Sequence, residues 1–340
     1  MYNNFDTLFI NGQNNVRIFS TSAFCISPLS LDSLLLINGF TTGSGGAILV
    51  NCENMHINNS IIRNCTANNG GAIAYEPTYT FCGAYDYSNM TNSYVANTTI
   101  TNCHATQNGG AIFAKIVPYI GYSWGPQPSY QGLNISHCNI FNNSATNGGS
   151  VYIKSQNTAY PSPSAYSYLN VNYSTLAFNS CTGNGGAIYS FSENLNSIIL
   201  KNATIVNNTA TGNGGGVYNS SLNYIDTVFT TNTTICFNNS SGSGRAIYNV
   251  DNNSNVKIKG SIVAFNGVGS YNNNINNSAL ISPVHNNIID DIYLSNGINF
   301  YYTTIPLLNL GTLQNNGDNT KTMLPQTGSI AIDNGVYFRH

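Results

Sequence analysis

Apolar residues in this chain fall in short clusters, without helical spacing between them. Thr7–Ile10, Val16–Phe19 and the stretch from Leu31 through Asn38 are the first such clusters, separated by turn residues at Asn11-Gly12 and Asn38-Gly39. Alternation over short spans bounded by Gly and Asn predicts strands and turns. From residue 45 onward the pattern becomes a repeat. The phrase Gly-Gly-Ala-Ile stands at Gly45–Ile48, Gly70–Ile73, Gly109–Ile112 and Gly185–Ile188. Variants stand at Gly148–Val151, Gly214–Val217 and Gly244–Ile247. Successive copies are 25, 39, 39, 37, 29 and 30 residues apart.

Each copy follows the same local grammar. A strand opens with Ser, Thr or Asn, continues with an aliphatic residue and two spacers, and closes on Asn, as in Thr204-Ile205-Val206-Asn207-Asn208. A polar turn follows and usually ends in Asn before the glycines (Asn69, Asn108, Asn147, Asn184, Asn213). Glycine suits a corner that needs positive φ or close backbone approach. The residue after Ala is always Ile or Val, so this row is expected to face the core, with Ala and the residue on its other side facing out. Asn64, Asn143, Asn179, Asn208 and Asn238 are expected to form an asparagine ladder at one corner, broken where Cys103 follows Asn102.

Such a repeat predicts an all-β fold, a single right-handed parallel β-helix. Its coils should rise about 4.8 Å each. A β-propeller blade of about 40–45 residues is too long for the shorter intervals. Residues 1–266 should form the β-helix, and 267–340 its last irregular coils and a C-terminal cap over the open strand edges.

The three long intervals contain insertions near 76–94, 116–131 and 155–168. They hold six of the ten prolines, ten of the 23 tyrosines and the single tryptophan, Trp124. Leaving successive coils at the same place, they should gather on one flank, where solenoids often bind. Trp124, Tyr119, Tyr122 and Tyr130 are candidate binding residues there. A second candidate is the residue after the inward aliphatic: Phe113, Tyr152, Tyr189, Tyr218 and Tyr248. If outward, they form an aromatic strip able to stack on sugar rings or, alternatively, to pack across strands.

Charge and cysteine content narrow the chemistry. Charged residues make up 6% of the chain, with a net charge of −2, so no nucleic acid partner is expected. No run is long and apolar enough for a membrane span, and the opening residues lack a secretory leader. The eight cysteines contain no Cys-x-x-Cys pair, which argues for mostly buried thiols, with Cys65 and Cys103 stacked and Cys82, in an insertion, the candidate for a reactive thiol or loop disulfide, and for no metal site. His104 and His137 are expected to be neighbouring strand residues one coil apart. The twelve acidic residues are scattered, with Asp290-Asp291 the one adjacent pair. Polysaccharide cleavage needs clustered carboxylates, so no catalytic residues and no cofactor are expected.

The Gly-Gly-Ala-Ile repeats with their Asn-rich strands resemble polymorphic outer membrane proteins and related adhesin-like right-handed β-helix surface proteins. The tail is similar to that of choice-of-anchor β-helix proteins: Gly311, Leu313, Asn316, Gly317, Thr322, Leu324, Pro325, Ser329, Ala331, Ile332, Asp333 and Gly335 follow that signature in order. Asp318 and Ile330 depart from it, standing where the signature has glycine and proline. The resemblance implies a segment of a longer, non-enzymatic protein, cell-surface or extracellular, with the pectin lyase-like fold. It would bind glycan or a protein of a host or neighbouring cell. A polysaccharide lyase or hydrolase and a purely structural surface or viral fibre are the alternatives.

Overall fold

The structure is a computed structural model and describes residues 7–21, 28–51, 54–77, 93–117, 129–156, 165–193, 195–222, 226–250, 254–267, 274–277, 281–284, 287–289 and 305–332. The chain winds as a parallel β-helix. Each full coil passes through four sheets, whose strands pair with the same segment of the coils before and after. In the coil around the second glycine motif these are Met55–Asn58, Ile61–Arg63, Thr66–Asn69 and Ile73–Tyr75. Among the described residues the four sheets contain nine, ten, six and nine strands. Among the described residues the last coil is Ile275–Asn277, Ile281–Val284 and Ile288–Ile289, so parallel pairing persists beyond residue 266.

Three corners are set by one backbone device, a residue with positive φ. Between the first and second sheets it is Asn59, Asn97, Asn202 or Asn232, with His137 and Tyr173 in two coils; between the second and third it is Asn64, Asn102, Asn142 or Asn207, with Phe178, Phe237 and Phe265 in three others. Between the third and fourth it is the first glycine of each motif, with φ from 60° to 74°. Asn tolerates this left-handed region better than most residues, and Gly adopts it freely. The second glycine has a different reason: a Cβ at Gly110 would lie 2.2 Å from the carbonyl oxygen of Gly149 in the next coil. Ser33 (φ 57°) breaks the run expected from Leu31 to Asn38 into two strands, Leu29–Asp32 and Leu34–Ile37.

The core is the expected aliphatic row. Ile48, Ile73, Ile112, Val151, Ile188, Val217 and Ile247 are all fully buried, each contributing about 1.5–3 kcal/mol. The alanines before them, however, are also buried. The strand begins only at the aliphatic residue, and the chain still bends at Gly-Ala. There two successive N–H groups, those of Ala72 and Ile73, donate to one carbonyl, Ala111, at 3.0 Å each. Face alternation therefore does not extend back to Ala, and both side chains point inward.

The asparagine ladder runs through Asn143, Asn179, Asn208, Asn238 and Asn266. Each Nδ2 donates to the next Oδ1, at 2.9–3.0 Å. That oxygen also accepts the preceding rung's backbone N–H. Asn64 is not a rung. Strand register pairs Ile61, not Ser60, with Thr99, so Asn64 takes the positive-φ position and Cys65 the ladder position, as Cys103 does one coil later.

The described part of the tail lies along the side of the solenoid. Leu308, Leu310, Leu313, Met323, Ile330 and Ala331 pack on the outward face of the second sheet, against Phe141, Ala177, Val206, Cys236 and Ala264. A small hairpin, Gln314–Asn315 with Lys321–Thr322, reaches back to the coil of Asn139. There Asn139 Nδ2 donates to the Asn319 carbonyl at 2.8 Å, and Lys321 Nζ sits 5.1 Å from the Phe141 ring centre. This part of the expected cap is thus a lateral strap.

Candidate functional site

The fourth corner, between the fourth sheet and the first sheet of the next coil, is where the insertions leave. The chain exits after Ile73–Tyr75, Ile112–Ile116 and Val151–Ser155, and re-enters at Ser93–Ala96, Ser129–Ser136 and Ala165–Asn172. The two sets of strands are neighbours in their sheets, so the three insertions share one corner of consecutive coils. Trp124, Tyr119 and Tyr122 lie outside the described residues. Tyr130 falls within a strand, paired in register with Tyr166. Residues 129–131 and 165–168, read from sequence as insertion, are strand, because they pair with each other across the two coils.

The rims of this corner are chemically distinct. On the fourth sheet Lys115 and Lys154 are register partners. Lys154 Nζ lies 3.9 Å from Glu193 and 5.8 Å from the centre of the Phe191 ring. On the first sheet Tyr168 leans over the preceding coil. Its ring fills the space a Cβ on Gly132 would take, and its hydroxyl accepts from Asn134 Nδ2 at 3.4 Å. Asn170 Nδ2 donates to Asn134 Oδ1 at 3.1 Å. A glycine under an aromatic ring was not read from the sequence, because Gly132 lies outside the repeated phrase.

The second candidate is a continuous column on the outer face of the fourth sheet. Phe113, Tyr152, Tyr189, Tyr218 and Tyr248 are register partners. Their rings stack with centroids 4.7–5.4 Å apart and interplanar angles of 6–19°. In such a stack each inner ring has both faces against neighbours, leaving its edge and hydroxyl to solvent. Burial pushes the phenol of Tyr189 up to about 12, with the neighbouring Tyr152 adding to the effect; burial raises Tyr152 as well. The column is thus cross-strand aromatic packing that presents hydroxyl edges.

Among the described residues the remaining reactive groups are dispersed, and Asp290 and Asp291 lie outside those residues. Cys65, Cys103, Cys138, Cys181 and Cys236 are buried and in no disulfide. Cys65 and Cys103 are stacked in successive coils, their thiols donating to the backbone carbonyls of Arg63 and Thr101; desolvation pushes Cys103 well up. Desolvation also raises Cys138 and Cys181 to about 12. His104 and His137 are not neighbours. His104 is the first residue of its coil's third-sheet strand and bonds Ser144 Oγ through Nδ1 at 2.9 Å, whereas His137 occupies a positive-φ corner and stacks on Tyr173 at 5.0 Å. Counting residues along the chain placed them one coil apart, but they sit at different corners.

Among the described residues no three His, Cys, Asp or Glu side chains come together. Asp32 accepts from Asn59 and Ser33, Glu76 accepts from Ser44, and Asp226 is wholly buried. No helix among the described residues is long and apolar enough to cross a membrane. Comparison with family models, curated proteins and solved structures finds no match to the chain.

Proposed function

We propose that this is a non-enzymatic, adhesin-like β-helix protein of a cell surface or the extracellular space. It binds glycan, or a protein of a host or neighbouring cell, through the flank from which its insertions emerge. The observation that carries this reading is the shared corner: three insertions rich in Tyr and Pro, one of them carrying Trp124, leave consecutive coils of the β-helix at one place. Loops on a rigid scaffold are where recognition concentrates. Tyr and Trp combine large contact area with low conformational entropy loss. The low charge suits a neutral ligand approached by hydroxyls, amides and aromatic rings.

The test is replacement of residues 118–128 by a short Gly-Ser link in the full chain, followed by glycan-array and cell-attachment assays. Binding should be lost while thermal unfolding is unchanged. Retained binding removes this loop from the site. Release of reducing ends from a polysaccharide by the intact protein would favour the lyase or hydrolase alternative.

A further inference from the structure

Behind the insertion corner the interior changes character. The inward column at the end of the fourth sheet runs Ile116, Ser155, Ser192, Ser221 in successive coils. Two residues earlier it runs Ala114, Ile153, Ser190, Asn219, Asn249. Across from it, the first sheet contributes Ser167 and Asn196, which are register partners. Asp226 and Ser254 follow in the next two coils, each just before a paired strand residue, Thr227 and Asn255. All of these polar residues are at most 5% exposed, and Asp226, Ser155 and Ser254 are fully buried.

Their contacts converge on one carboxylate. Ser192 Oγ lies 2.9 and 3.1 Å from the two oxygens of Asp226, and the Asn196 backbone N–H donates to Oδ1 at 3.0 Å. Ser192 Oγ is also 3.4 Å from Ser221 Oγ. Asn196 Nδ2 donates to Ser190 Oγ at 2.6 Å, and its Oδ1 accepts from Ser167 Oγ at 3.2 Å. Around this group three buried oxygens find no hydrogen-bond partner: Ser155 Oγ, Ser254 Oγ and Asn219 Oδ1. Ser155 is the register partner of Ser192, and Ser254 sits beside Asp226 one coil on. Asn219 is the partner of Ser190, two residues before Ser221 on the same inward face. An unmatched donor, Asn249 Nδ2, lies one coil beyond.

Buried oxygens without partners around a buried carboxylate are costly unless something supplies positive charge or donors. A hard cation does both, since it is satisfied by carboxylate, hydroxyl and amide oxygens. Ser192 Oγ, which donates its proton to Asp226, still has lone pairs for a metal. We propose that this seam is an internal cation site for sodium or calcium, with Asp226, Ser192, Ser221 and Asn219 as ligands; the ion satisfies the unmatched Asn219 oxygen, and Ser155 and Ser254 flank the site one coil to either side. It would lock three coils together directly behind the insertion flank.

The experiment uses the full chain, stripped with chelator and dialysed into a choline buffer, then supplied with sodium or calcium alone. Elemental analysis and equilibrium dialysis give stoichiometry; thermal unfolding gives the effect. The expected result is one ion per chain and a rise in Tm of roughly 4 °C or more at 100-fold excess over Kd. Which of the two salts produces it identifies the ion. Asp226→Asn, near-isosteric, should abolish both the stoichiometric ion and the salt-specific rise. Should that variant fail to fold, Ser221→Ala should weaken binding at least tenfold. No bound ion and no salt-specific rise in the unmodified protein, or undiminished binding in these variants, would overturn the proposal in favour of buried water or a protonated carboxyl.

Discussion

At the scale of single residues, the repeat specifies which asparagines are interior and which are corners. The two Nδ2 hydrogens of Asn208 are shared among three acceptors, Leu176 O, Val206 O and Asn238 Oδ1, and its Oδ1 accepts two from Asn179. Asn208→Ala would leave those buried groups unmatched, at about 1–3 kcal/mol each for the worst placed. A loss near 3 kcal/mol is expected in denaturant unfolding. Asn64→Gly should be nearly neutral, since Asn64 is exposed with φ 57° and glycine adopts that conformation freely. Equal costs would remove the distinction between rung and corner. Both residues follow an aliphatic run and a polar spacer, so sequence alone placed them together. Strand register separates them by one position, which exchanges outside for inside.

At the scale of the element, the fourth sheet depends on its outer column as well as its inner one. Tyr189 stacks at 4.7 Å on both Tyr152 and Tyr218. Each aromatic pair contributes about 0.5–1.5 kcal/mol beyond area burial. Tyr189→Ala is therefore expected to cost about 3 kcal/mol, and Tyr189→Phe under about 1 kcal/mol, by the same unfolding measurement. Equal, negligible effects would show that the stack is incidental. The column was legible in sequence because the five rings keep one offset from the glycines. The covering of ring faces was not, because it depends on side-chain rotamers across strands. The polar seam left a similar trace: Ser155, Ser192 and Ser221 each stand seven residues after the first glycine of their motif. The meeting of Ser192 with Asp226 is a contact between sheets that no spacing announces.

For the whole molecule, the tail is the least foreseeable part. Its apolar residues cover a strip of small outward side chains on the second sheet, Ala177, Val206, Cys236 and Ala264. Two bulky residues with positive φ, Phe237 and Phe265, stack at 6.1 Å and pack against the same cluster. Left-handed backbone at a phenylalanine carries strain, which this packing offsets. A chain ending after residue 304 should therefore unmask Cys236. In that chain an alkylating reagent followed by mass spectrometry should find Cys236 modified, with Cys65, Cys103, Cys138 and Cys181 still protected. In the full chain all five should resist. Continued protection of Cys236 in the shortened chain would show that the strap does not cover it.

What the sequence alone determined was the solenoid: local spacing of glycine, asparagine and aliphatic residues repeats in every coil, and a local pattern repeated in register can stack only on itself. It also determined where the insertions leave, because they appear as uneven gaps between fixed marks. The tertiary structure decided everything that joins residues from different corners or different ends of the chain. It turned the alanines inward through a bend that interrupts strand alternation, and separated His104 from His137. It laid the tail along the flank, where a row of small residues admits it, and it gathered one carboxylate and its hydroxyls behind the insertion corner. Such contacts depend on the closure of the coil and on register across sheets, which a one-dimensional pattern does not contain.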